Sequence, residues 1–149
     1  MVKRVFIVSL FLFGIITSCK KDSANAGGVP NVYVDFTATV GSGGYSNLLN
    51  PLGWDYATFV GYHNNGIVLY CQSPDNYLAF DRSCPYDCLT NPKAVINVLS
   101  GNIEVKCPVC GTTYSLISGN VNSGPGTIAL KQYFTNYTNP PSLVVTSSP

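Results

Sequence analysis

The chain has 149 residues, eight Lys and Arg against seven Asp and Glu, and a formal net charge of +1. Only 10% of the residues are charged and no basic patch occurs, which excludes nucleic acid as a partner; the length suits one domain around one core. One histidine and one glutamate leave no obvious Ser-His-Asp or Cys-His arrangement, so the chemistry falls to six cysteines.

At the amino terminus, Lys3 and Arg4 precede a twelve-residue apolar run over 5–16. A membrane-spanning helix needs ~20 residues, so this run fits a secretory leader instead. Ile16-Thr17-Ser18-Cys19 resembles a bacterial lipobox. That resemblance implies a signal peptide over 1–18, lipid on Cys19, and a protein anchored in the bacterial cell envelope. Lys20 after the cysteine argues for the outer membrane rather than retention at the inner one. Removing 1–18 takes two basic side chains and no acidic one, which leaves a formal charge of −1. Residues 19–31 are small, polar and Gly-containing and are expected to be a flexible tether, ended near Pro30.

The domain proper is expected over 32–149. Val32, Val34, Phe36, Ala38 and Val40 alternate with polar residues, the period of a half-buried strand. A loop is predicted around Asn50 to Trp54. Asn64-Asn65-Gly66 before the apolar 67–70 predicts a tight hairpin turn, because Asn and Gly tolerate positive φ. Residues 77–80 predict a short strand. Strands over 94–99 and 103–106 flank the turn Ser100-Gly101-Asn102, and later strands are predicted over 113–117, 127–131 and 143–146. No helical stripe appears, and the class is all-β.

Two of these arms end in cysteine loops. Cys84-Pro85-Tyr86-Asp87-Cys88 is followed, eighteen residues on, by Cys107-Pro108-Val109-Cys110-Gly111. A metal needs several soft deprotonated ligands at one point, and two knuckles on adjacent arms can supply them. C-P-x-C-G is also the knuckle of zinc ribbons, in which four thiolates hold a closed structural ion. Disulfides are the third possibility, since an exported chain meets oxidising conditions.

The residues around the loops resemble the Rieske family. Its second loop, C-x-x-H-G-[ST], corresponds to Cys107-Pro108-Val109-Cys110-Gly111-Thr112, with Tyr114 two residues on. Gly119, Ser123-Gly124-Pro125 and Leu130-Lys131-Gln132-Tyr133 follow in the family's order, and 78–85 matches the approach to the first loop. The resemblance covers 77–133. It implies an antiparallel Rieske-like β sandwich or barrel with a small two-loop cluster-binding subdomain, the loops being 84–88 and 107–112.

The ligand positions depart from that family. Tyr86 and Cys110 stand where it has histidines, and the lone His63 lies in a predicted surface turn. The resemblance therefore implies a 2Fe–2S cluster on Cys84, Cys88, Cys107 and Cys110, with Thr112 and Tyr114 hydrogen-bonding to sulfur. Four-thiolate clusters lie near ~−400 mV and two-histidine centres at roughly −150 to +300 mV. Such a centre would have a low potential without histidine-linked pH dependence, which rules out quinol oxidation. Zinc, or disulfides with no metal, stay open beside the cluster. Either way the chain reads as an electron-transfer or binding module for an unknown partner protein rather than a catalyst. Asp81 and Asp87 bracket the first loop as turn caps or a carboxylate pair. Cys71 reads as a small buried hydrophobe.

Overall fold

The computed structural model describes residues 27–147. The expected signal peptide over 1–18, Cys19 and the first part of the expected tether lie outside the described residues. Ten strands and two short 3-10 turns are formed, with no α-helix among the described residues, and the fold is all-β as the alternation predicts. No helix of the described residues is long and apolar enough to cross a membrane.

The strands are β1 (Asp35–Thr39), β2 (Trp54–Ala57), β3 (Ile67–Ser73), β4 (Asn76–Asp81), β5 (Asn97–Val98), β6 (Glu104–Lys106), β7 (Thr113–Ser115), β8 (Val121–Ser123), β9 (Gln132–Asn139) and β10 (Ser142–Thr146). Six form one antiparallel sheet in the order β1-β10-β9-β4-β3-β2, and β5-β6-β7-β8 form a second, smaller one. The large sheet supports the core, and the small sheet carries the second cysteine loop between β6 and β7.

Strand β3 joins the two layers. Ile67, Leu69 and Cys71 pack with Val34, Ala38, Leu48, Leu143 and Val145 in one core. Val68 and Tyr70, on the opposite face, pack with Ile96, Val105, Tyr114, Leu116, Cys84 and Cys107 in the other. A strand covered on both faces needs no polar alternation, which is why 67–71 is an unbroken apolar run. Strand β1 is covered on one face only: Ala38 is buried within it, and Val34 and Val40 are buried just beyond its two ends.

Several predicted boundaries move. The expected loop at Trp54 is instead the start of β2, paired Trp54 to Tyr70 through Ala57 to Ile67. Asn64-Asn65-Gly66 is not a tight hairpin turn. The connection runs over 58–66, including a 3-10 turn at Tyr62–Asn64, and folds across Asp81. Gly61, at φ 77°, is required there, since a Cβ would stand 2.6 Å from Asp81 Oδ2. Of 94–99 only β5 joins the ladder, because the Ile96 N–H donates to the Arg82 carbonyl and Val95 bridges to Ser83. Residues 127–131 form no strand: the Leu130 N–H is taken by the Gly119 carbonyl, and pairing begins only at Gln132. Residues 27–31, assigned to the tether, lie against the domain. Lys131 Nζ donates to Asn31 Oδ1, and the Gly28 carbonyl meets the Cys88 thiol.

Asp81 ties these pieces together. Its carboxylate is buried and accepts from the Tyr62 N–H, the Ser83 N–H and the Tyr133 hydroxyl, each at 2.7 Å. Burial, then the neighbouring carboxylate, pushes the Tyr133 phenol well above its usual range. A buried carboxylate with three donors is satisfied, while the donors without it are orphans. Asp81→Ala is expected to cost about 3 kcal/mol and Tyr133→Phe about 1 kcal/mol. Urea denaturation of the two variants measures the difference, and equal small losses would contradict this role.

Candidate metal centre

The first loop is a single bonded turn. The Asp87 and Cys88 N–H groups both donate to the Cys84 carbonyl, at 3.2 and 2.9 Å. The Cys84 N–H donates to the Ala94 carbonyl at 2.8 Å, which fixes where the turn starts. In the second loop the Gly111 N–H donates to the Cys107 carbonyl at 3.0 Å, and the Cys107 N–H to the Thr112 carbonyl at 2.9 Å. Gly111 closes this knuckle at φ 79°, a conformation costly for a residue with a Cβ.

These two turns bring Cys84, Cys107 and Cys110 together with Asp87. The three sulfurs and one Asp87 oxygen all lie within 4.8 Å of one another. Cys84 Sγ stands 3.7 Å from Cys110 Sγ, and the Cys107 thiol reaches Asp87 Oδ2 at 3.4 Å. Cys84 and Cys107 are fully buried; Cys110 and Asp87 are partly exposed. Burial pushes the Cys107 and Cys110 thiols upward, and the hydroxyl of Thr112 draws Cys110 partly back. Protonated thiols can share this space; a set of thiolates requires a cation to offset their charge.

Cys88 is not part of this group. Its thiol faces the Gly28 carbonyl at 3.7 Å and is pushed up to about 11, chiefly by burial. Tyr86, at a position where the family resembled has a ligand, is exposed. His63 sits exposed in its turn at φ 55°, its ring against Tyr62. Asp81 serves the strand framework instead of the centre. Asp87, read from sequence as a turn cap or one of a carboxylate pair, faces the sulfurs. Spacing from Cys84 gave no signal for it, since positions three and four residues on share one face of a turn and Cys88 competes with Asp87. All five cysteines among the described residues are free thiols, so no disulfide joins the loops.

The hydroxyls of Thr112 and Tyr114 lie beside two of the sulfurs. The Cys110 thiol donates to Thr112 Oγ1 at 3.2 Å, and the Tyr114 hydroxyl lies 3.6 Å from Cys84 Sγ. Burial, reinforced by Cys84, pushes the Tyr114 phenol far above its usual range. The loop 123–126 closes over this layer. A Cβ at Gly124 would stand 2.6 Å from Thr112 Cα, and one at Gly126 would stand 3.0 Å from the Tyr114 hydroxyl. The Gly126 N–H donates to Thr112 Oγ1 at 3.0 Å.

No protein-family model and no curated protein matches the chain. A solved structure similar to it is a chain from the complex of reduced oxygenase and oxidized ferredoxin in carbazole 1,9a-dioxygenase. The two share 15% identity at a TM-score of 0.48, over 79% of this chain and 95% of that one. Function is therefore read from the side chains themselves.

Thr112 is buried and holds the Gly126 N–H as well as the Cys110 thiol. Thr112→Val keeps the shape and orphans that N–H, so it is expected to cost about 1–3 kcal/mol, while Thr112→Ser, which keeps the hydroxyl, costs less. Urea midpoints for the pair check the order.

Proposed function

We propose that this chain is a non-catalytic metal-binding module of a bacterial envelope lipoprotein, held at the outer membrane by lipid on Cys19. Its metal fixes the two-loop tip, and that tip meets a partner protein. The observation that carries this reading is the approach of three cysteine sulfurs and the Asp87 carboxylate within 4.8 Å. Thiolates select zinc, iron or copper(I) over hard cations. A bound metal would supply a rigid cross-link between the loops if it is zinc, and a redox couple if it is iron.

Support for a partner comes from the rim of the centre. Tyr86, Leu89 and Val109 project from the two loops with 55%, 53% and 52% of their surface exposed. Apolar side chains gathered at one tip are what a docking surface uses. The leader-like run 5–16 and the lipobox-like 16–19 support export and anchoring.

Electron transfer through an iron centre is the second reading. It is favoured by the hydroxyls of Thr112 and Tyr114 beside sulfur, since hydrogen bonds to cysteine sulfur tune iron–sulfur potentials. A 2Fe–2S cluster on four thiolates would need Cys88 to turn from Gly28 toward the other three.

Metal analysis of the purified protein, made under low oxygen, tests the proposal. At least one zinc or iron per chain is expected, and none, with unreacted thiols, would sink it. Chelation is expected to lower Tm, and returning the metal at a hundred times its Kd restores about 2.7 kcal/mol. Anchoring is tested separately: Cys19→Ser is expected to move the protein from the membrane fraction to the soluble one, and an unchanged distribution would refute the lipid anchor.

A further inference from the structure

The two-loop centre has four donors of unequal chemistry, and their spacing says how many metal ions they can share. Zn–S bonds of about 2.3 Å at the tetrahedral angle set a sulfur–sulfur edge of ~3.8 Å. Cys84 and Cys110 stand 3.7 Å apart. A Zn–O bond of about 2.0–2.2 Å sets a sulfur–oxygen edge of ~3.5 Å. Cys107 Sγ and Asp87 Oδ2 stand 3.4 Å apart. The whole set stays within 4.8 Å.

A two-iron cluster needs a different arrangement. Its irons are bridged by two sulfides, and the terminal ligands of opposite irons point away from each other. Here the Cys84 and Cys110 sulfurs are at a single-ion edge. Cys88, the candidate fourth thiolate, turns to the Gly28 carbonyl, while the Asp87 carboxylate takes the remaining corner. The donor set does not fit a 2Fe–2S cluster.

We infer that Cys84, Cys107, Cys110 and Asp87 form a mononuclear tetrahedral site for one thiophilic ion, zinc or a single iron, with Asp87 as a direct ligand and Cys88 outside it. Three thiolates and a carboxylate bring four negative charges, which a divalent ion reduces to two. The second layer suits this excess charge, because the Tyr114 hydroxyl can donate to the Cys84 sulfur. The Thr112 hydroxyl can turn its proton toward Cys110 once that thiol has given up its own. Each thiol releases its proton to solvent as the metal binds, and no electron is exchanged.

This inference rests on the metal-binding reading above, and the two can fail separately. Metal-stripped protein would be titrated with Zn2+ and with Co2+, whose visible spectrum reports tetrahedral geometry and thiolate bonds. Expected are one ion per chain, no labile sulfide in protein as purified, and a tetrahedral cobalt spectrum with thiolate charge transfer. Cys88→Ser should bind the ion unchanged. Asp87→Ala should lose at least the roughly 10- to 100-fold in affinity that even an outer partner of a ligand costs. Asp87→Cys should restore binding and strengthen the thiolate charge-transfer band, which separates a ligand role from a folding role. Two irons with two sulfides, or a loss of metal in Cys88→Ser with none in Asp87→Ala, would overturn the inference and leave metal binding standing. No uptake of either ion and no metal as purified would overturn both.

Discussion

Three sulfurs and a carboxylate oxygen within 4.8 Å of one another form a concentration of acids that the protein interior tolerates in two ways only. Either the protons stay on, or a cation takes their place. Burial favours the first for Cys107 and Cys110 in the absence of metal. A thiophilic ion favours the second, because each proton lost is exchanged for a bond. The loops, the glycines that shape them and the hydroxyls of Thr112 and Tyr114 make sense as parts of a device that holds this balance in one place.

The scaffold holds the loops from two sides. Strand β3 gives one face to the main core and the other to the core beneath the small sheet, so the cysteine loops rest on packed side chains instead of hanging from hairpins. Asp81 ends β4 as a buried carboxylate tied to Tyr62, Ser83 and Tyr133, only three residues before Cys84. Trp54 reaches the turn of the second arm through Asn102, and Arg82 lies over the Tyr56 ring at 3.6 Å while its Nη2 donates to Asn97. These contacts set the height of the small sheet above the large one, and so the approach of one loop to the other.

Local signals in the chain were reliable where a backbone preference acts alone. The alternation of 32–40 became β1 over its middle, Asp35–Thr39, Ser100-Gly101-Asn102 became the turn between β5 and β6 with φ 61° at Asn102, and Gly111 took the positive φ of its knuckle. They failed where a distant partner competes. The Leu130 N–H was claimed by Gly119 and the Ile96 N–H by Arg82, so two predicted strands shortened or shifted. Strand β9 was illegible because its burial is thin: Tyr133 is buried, but most of its other residues are exposed, and Asn136 and Asn139 mask the period.

Period, turn chemistry and spacing are properties of neighbouring residues, and they sufficed for the all-β class and the two cysteine turns; the two hydroxyls beside sulfur entered only through the family resemblance. The sequence also supplied the expectation of an exported, lipid-anchored chain. Which donors converge was settled by packing between distant parts of the chain. Cys88 and Asp87 are adjacent in one turn, and nothing in the chain says which of them faces the second loop. The choice follows from where β4 and the Ala94 carbonyl hold Cys84, and from residues 27–31 lying where the Cys88 side chain points. A turn fixes the angle between two neighbouring side chains, and the packing beneath it fixes which of the two looks inward.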